Sequence, residues 1–319
     1  MIRGSTAPVR KNTRRSARRE PTTLERFRLP ILAGLVVVAI AAAATIAGIG
    51  PLDALVNPAD DGAGRPVRWS TLGTQDAHSL AFVGSSDRLV FGHHNGVLRS
   101  SDGGRTWQPT GASEDAMAAA PANDGSIVIA GHHVFLSSTD DGATWQPIQT
   151  DLPALDIHGF ARDPVDGNRM WAYLESAGVF ESTDGGAHFV QVRPDGVGLL
   201  TAARGDGETR LLAIDQTRAI IGSVDGGRTW TTIGLPPVAS IGALAASGDG
   251  RTILAGTAQG LYRSDDGGST WTKTTFGLEP YSLAMSEDGR TIAVVDENTD
   301  FYRSEDGGVT WPGPASAGS

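Results

Sequence analysis

The chain is 319 residues long, carries a formal net charge of −10, and contains 42 glycines, 17 prolines and no cysteine. That length accommodates one large domain, and the missing cysteines exclude disulfides and thiolate metal ligands. The acidic balance suits cations or basic partners and speaks against nucleic acid.

Charge is segregated along the chain. Residues 1–28 hold nine basic residues (Arg3, Arg10, Lys11, Arg14, Arg15, Arg18, Arg19, Arg26 and Arg28) against Glu20 and Glu25, and read as a disordered basic tail. Residues 29–50 carry no charge, and a helix of that length, rising about 1.5 Å per residue, matches a bilayer core of about 30 Å. A transmembrane helix is expected there, with the basic tail in the cytoplasm and the rest of the chain outside, a single-pass protein of the cell membrane. The rival reading is a cleaved signal peptide, because Thr45-Ile46-Ala47 offers small residues to a peptidase; the apolar run is longer than an ordinary signal core. The arginine pairs lack the rest of a twin-arginine motif. Residues 51–65, rich in Asp, Gly and Pro, read as a linker.

From residue 66 to 313 one octapeptide organises the chain. Ser-x-Asp-x-Gly-x-Thr-Trp begins at Ser100, Ser138, Ser182, Ser223, Ser264 and Ser304, and only the third copy departs, ending His188-Phe189. Asp and Gly in this order build a tight turn, the glycine taking positive φ and the carboxylate accepting nearby backbone amides. The Trp opens a strand and supplies a ring to pack between sheets. A period near 40 residues holding several short strands predicts an all-β, six-bladed β-propeller behind the N-terminal helix, with residues 314–319 as a tail.

The octapeptide resembles the Asp-box, or BNR repeat, of sialidase-like β-propellers. The resemblance implies a propeller fold, a structural role for Asp102, Asp140, Asp184, Asp225, Asp266 and Asp306, and an exo-sialidase type of glycoside hydrolase as one function. Other proteins with such repeats act as interaction platforms, so an envelope or membrane protein partner is a further expectation.

Alternation and turn residues assign four strands to each blade, A to D, as in 78–83, 89–93, 96–100 and from Trp107 onward. Equivalent A strands begin near Met117, His158, Val197, Ile241 and Tyr281. Trp69-Ser70-Thr71-Leu72 matches a final strand without its own box, so residues 67–72 are expected to complete blade six. Strand direction then sorts the residues by rim: A starts and B ends lie on one, the boxes and the A to B turns on the other.

The histidines concentrate on the rim opposite the boxes. Asp76-Ala77-His78, Asp115-Ala116-Met117 and Asp156-Ile157-His158 occupy the same position in three successive blades, and Gly92-His93-His94 and Gly131-His132-His133 end two neighbouring B strands. His78, His93, His94, Met117, His132, His133 and His158 are thus candidate ligands for a transition metal, with the thioether favouring copper over zinc. Asp76, Asp115 and Asp156 are candidates to orient the imidazoles as acceptors. A small ligand in the same pocket is the alternative.

For hydrolysis the rim offers carboxylates, with Glu175 and Asp215 beside Tyr281 as the alternative catalytic set. Most arginines fall on the box rim and only Arg193 and Arg218 map to the other, so the three-arginine grip implied by the sialidase resemblance finds no match. No catalytic residue is therefore assigned by motif.

Overall fold

The computed structural model describes residues 77–205, 207–237 and 240–311. The basic tail, the apolar segment, the linker, Asp76, the expected closing strand at 67–72 and the last residues lie outside that range. Among the described residues no helix is long and apolar enough to cross a membrane.

Six antiparallel sheets follow one another along the chain. Blade one is β1 (Ser79–Val83), β2 (Ser85–His93), β3 (Gly96–Ser100) and β4 (Gln108–Pro109); blade two is β5 (Asp115–Pro121), β6 (Ile127–His132), β7 (Phe135–Ser138) and β8 (Gln146–Pro147). Blade three is β9 (Ile157–Arg162), β10 (Met170–Leu174), β11 (Gly178–Ser182) and β12 (Val190–Arg193), and blade four is β13 (Val197–Gly205), β14 (Glu208–Asp215), β15 (Ile220–Ser223) and β16 (Thr231–Gly234). Blade five is β17 (Ala243–Ala246), β18 (Ile253–Thr257), β19 (Gly260–Ser264) and β20 (Thr272–Lys273). Blade six shows three strands among the described residues, β21 (Pro280–Met285), β22 (Ile292–Asp296) and β23 (Phe301–Ser304).

The first strand of each sheet touches the first strand of the next, and β1 touches β21, so the A strands ring the axis and the propeller is closed. Apolar residues facing out of each sheet meet those of the neighbouring sheet. At the seam between blades six and one, Leu80, Phe82, Phe91 and Trp107 pack with Ala284, Ala293, Val295 and Phe301. Trp107 is fully buried, edge-on to Phe91 at 6.4 Å and to Phe301 at 5.5 Å between ring centroids. Side-chain packing thus closes this seam whatever residues 67–72 do.

The six turns repeat one hydrogen-bond scheme. Ser100 Oγ accepts from Gly104 N at 2.9 Å and donates to Asp102 Oδ1 at 2.8 Å, while Asp102 accepts Thr106 N at 2.9 Å and Thr106 Oγ1 at 2.6 Å. In the third copy His188 stands in for the threonine, with Nδ1 2.7 Å from Asp184 Oδ2. Asp141 takes the first glycine position of the second copy at φ 58°, a left-handed conformation that Asp tolerates better than most residues. Box amides reach the A to B end of their own blade, as in Gly103 N to Asp87 O near the start of β2 at 2.8 Å and Gly307 N to Arg290 O in the turn before β22 at 2.7 Å. This puts the boxes on the expected rim.

The same bonds set an acid limit on the fold. Hydrogen bonds from Thr144, Thr229 and Thr310 hold Asp140, Asp225 and Asp306 down at about 2, from an ordinary value of 3.8, and the amides and hydroxyls of Thr270 do the same for Asp266. A group whose pKa is depressed by folding contributes stability above its unfolded value and loses it as the pH falls through the folded one. Thermal melting is therefore expected to hold steady down to about pH 4 and to fall between pH 4 and 2, as scanning calorimetry at a series of pH values would measure.

On this rim the arginines bridge blades. Arg204 meets the buried Asp163 at 3.1 Å, Arg169 and Arg228 clamp the buried Glu181 at 2.7 Å each, and Arg303 donates to Ser86 O at 2.6 Å. Their guanidinium groups are spent on the scaffold.

Candidate functional site

The opposite rim of blades one to three is built from two strand ends and two bulges. His132, the last residue of β6, pairs with Asp115 of β5 on one side and forms an isolated bridge with Asp156 on the other. One histidine is thereby set between two aspartates. In β5 the register slips between Asp115 and Ala118, so Ala116 and Met117 oppose the single residue Gly131; a β-bulge of this kind re-aims the side chains around it. Glycine is needed opposite: a Cβ at position 131 would lie 2.0 Å from the Asp115 carbonyl oxygen and 2.7 Å from Met117 N. Gly92 makes the same close approach to Ala116 O, and Ser79 Oγ ties that carbonyl from blade one at 3.0 Å. The register of β9 also slips, between Ile157 and Gly159, at His158.

Four of the six rim histidines converge on two carboxylates. Asp115, only 9% exposed, lies among three imidazoles: His78 Nε2 is 3.2 Å from Oδ1, His94 Nδ1 is 3.2 Å from Oδ2, and His132 Nδ1 is 2.8 Å from Oδ2. The last is a hydrogen bond; an ionised carboxylate can only accept, so His132 donates through Nδ1–H, and in the neutral ring this assigns the lone pair to Nε2. His78 Nε2 and Asp115 Oδ1, although at ion-pair distance, are misaligned for a hydrogen bond. Both atoms are buried and make no hydrogen bond among the described residues.

The second group is a compact triangle. His132 Nε2 lies 3.4 Å from His158 Nε2 and 3.4 Å from Asp156 Oδ1, and His158 Nε2 lies 3.2 Å from Asp156 Oδ1. A tetrahedral ion with bonds of about 2.0–2.1 Å sets its donor atoms about 3.3 Å apart. The triangle thus has the dimensions of one face of a tetrahedral zinc site. Glu175 Oε2 is 3.7 Å from His158 Nε2, and Asp156 and Glu175 are both largely exposed.

The other residues expected at the site are placed differently. His93 is turned inward: it is buried, stacks on Phe91 at 5.8 Å, and accepts Asn95 N at Nδ1, 3.2 Å away. Burial, helped by His78 nearby, lowers its pKa. His133 takes a left-handed turn at φ 60° and is exposed, its amide bound to Leu155 O at 2.8 Å. Met117 sits half-buried in the β5 bulge. Asp115 and Asp156, expected only to orient imidazoles, supply oxygens within the donor groups themselves.

Of the alternative catalytic residues, Asp215 is committed to its own turn, accepting Thr217 N at 2.8 Å, Thr217 Oγ1 at 2.7 Å and Ala219 N at 3.0 Å. Burial works to raise its pKa, but these bonds outweigh it and the net shift is downward. Tyr281 is 47% exposed on β21, in blade six, and Glu175 belongs to blade three.

Solved structures share the architecture. A GH74 enzyme of Niastella koreensis is 18% identical with a TM-score of 0.50, over 72% of this chain and 37% of that one, so this chain spans well under half of that enzyme. YCF48 bound to a D1 peptide is 15% identical with a TM-score of 0.50, over 78% of this chain and 99% of that one. A gluconolactonase of Xanthomonas campestris is 13% identical with a TM-score of 0.57, over 78% of this chain and 97% of that one. At identities this low the likeness shows the fold alone. No curated protein sequence matches the chain. A family model described as the DUF6242 beta propeller domain matches residues 131–317. With more than half of its length matched, this chain belongs to the DUF6242 beta propeller domain family.

Proposed function

We propose that this propeller is a binding protein for a divalent transition metal, held by His132, Asp156 and His158 on the rim opposite the box turns. One observation carries the reading: three donor atoms of the right kinds form a triangle with edges of 3.2–3.4 Å. Imidazole with carboxylate suits zinc, and equally divalent copper. The preference for copper rested on Met117, and the convergence of the imidazoles does not depend on its sulfur. The charge pattern of residues 1–50 supports a single-pass membrane anchor that would keep this site outside the cytoplasm. A glycosidase reading draws on the GH74 likeness, but Asp215 is spent on a turn, and Tyr281 stands on β21 in blade six while Glu175 belongs to blade three.

Isothermal titration of the purified full-length protein with zinc tests the proposal. Saturable binding is expected, weakened on the order of a hundredfold when Asp156 is replaced by Asn and His158 by Ala together, with the melting temperature preserved because both side chains are partly exposed and neither is hydrogen-bonded to a buried carboxylate. Equal zinc affinity in that double variant would remove the site from these residues.

A further inference from the structure

The rim holds more donors than one ion uses. Resting on the reading that His132, Asp156 and His158 hold one ion, we propose a second ion bound by His78, His94 and Asp115, with Asp115 coupling the two.

Three observations support it. One donor atom from each of His78, His94 and Asp115 lies within 4.8 Å of the other two. The His78 to Asp115 and His94 to Asp115 separations, 3.2 Å each, equal the shortest edge of the triangle beside them. Most directly, His78 Nε2 and Asp115 Oδ1 are buried side by side and make no hydrogen bond among the described residues, and Asp115 is only 9% exposed. Buried polar atoms that make no hydrogen bond are costly, and a cation between these two would satisfy both at once.

The coupling runs through His132. Its Nδ1–H donates to Asp115 Oδ2 at 2.8 Å, the arrangement by which a carboxylate fixes the tautomer and raises the basicity of a metal-binding histidine. Asp115 is thus a ligand of one ion and the orienting acceptor for a ligand of the other. An ion on Asp115 draws charge from Oδ2 and adds a positive centre nearby, so each ion weakens the binding of its neighbour, and by the same factor in both directions.

Zinc titration of the full-length protein in detergent, with metal content after dialysis read by mass spectrometry, separates the outcomes. Two zinc ions per chain binding in two steps are expected. His94→Ala, at a side chain 63% exposed, and Asp156→Asn, at one 54% exposed, should each leave a single ion, and the ion left by His94→Ala should bind more tightly than the weaker step of the wild type. One zinc per chain that His94→Ala leaves untouched and Asp156→Asn abolishes would overturn the second ion while the first reading stands. No zinc at all would remove both. Two ions binding independently, with His94→Ala leaving the remaining affinity unchanged, would overturn the coupling.

Discussion

Trp107→Ala is expected to destabilise the propeller by about 3–5 kcal/mol, the range for deleting a large aromatic ring from a core. The ring is fully buried between Phe91 of blade one and Phe301 of blade six, and its Nε1–H donates to Gly104 O at 2.9 Å. Little around it can collapse into the space. Phe301 is itself seated against Gly104, where a Cβ would come within 2.3 Å of the Phe301 ring, so backbone and ring are already in tight contact. The seam also joins the first and last described blades, so a loss here loosens ring closure and not merely one sheet. Calorimetry should register a fall of several degrees or more for a domain of this size. A cost below about 1 kcal/mol, within the range of ordinary surface substitutions, would mean that closure rests on other contacts.

Asp115→Asn is expected to have the largest effect on metal binding while leaving the fold in place. Asparagine keeps the shape, and its carbonyl oxygen can still accept from His132 Nδ1–H, now 2.8 Å from Oδ2. What goes is the negative charge among His78, His94 and His132, the feature that would attract a divalent ion and hold the His132 lone pair outward. The ion on His78 and His94 should be lost, and the ion on His132 should weaken by about 10–100-fold. Thermal melting of the metal-free variant should stay close to the wild type, because the amide fills the same space and keeps the acceptor for His132 Nδ1–H. Unchanged zinc affinity with unchanged melting would show that Asp115 serves only the bulge.

Much of the architecture was legible in the octapeptide. Six copies near 40 residues apart implied six blades, and the Asp and Gly positions implied the turns that Ser100, Asp102 and Gly104 form. Strand direction followed, and with it the separation of the histidines from most of the arginines. The fine structure of the site was not legible, because it depends on register. Gly131 and Gly92 are legible as glycines, but their purpose, to admit a bulge carrying Asp115, shows only once β5 and β6 are paired. The paired histidines read alike in sequence. Neighbouring residues on a strand face opposite ways, and His93 turns to Phe91 while His133 leaves the strand at positive φ, so each Gly-His-His contributes one imidazole to the cluster and not two. Asp115 and Asp156 looked equivalent by their place before each A strand. Their different surroundings, one buried among three imidazoles and one 54% exposed, arise from the neighbouring blades.

The sharpest measurement is an anomalous difference map at the zinc edge from crystals of the protein grown with zinc. A peak about 2.0–2.2 Å from His132 Nε2, Asp156 Oδ1 and His158 Nε2 is the predicted result, with a second peak against His78, His94 and Asp115. A map empty at both places, with the His132 and His158 rings still 3.4 Å apart, would contradict the metal-binding function.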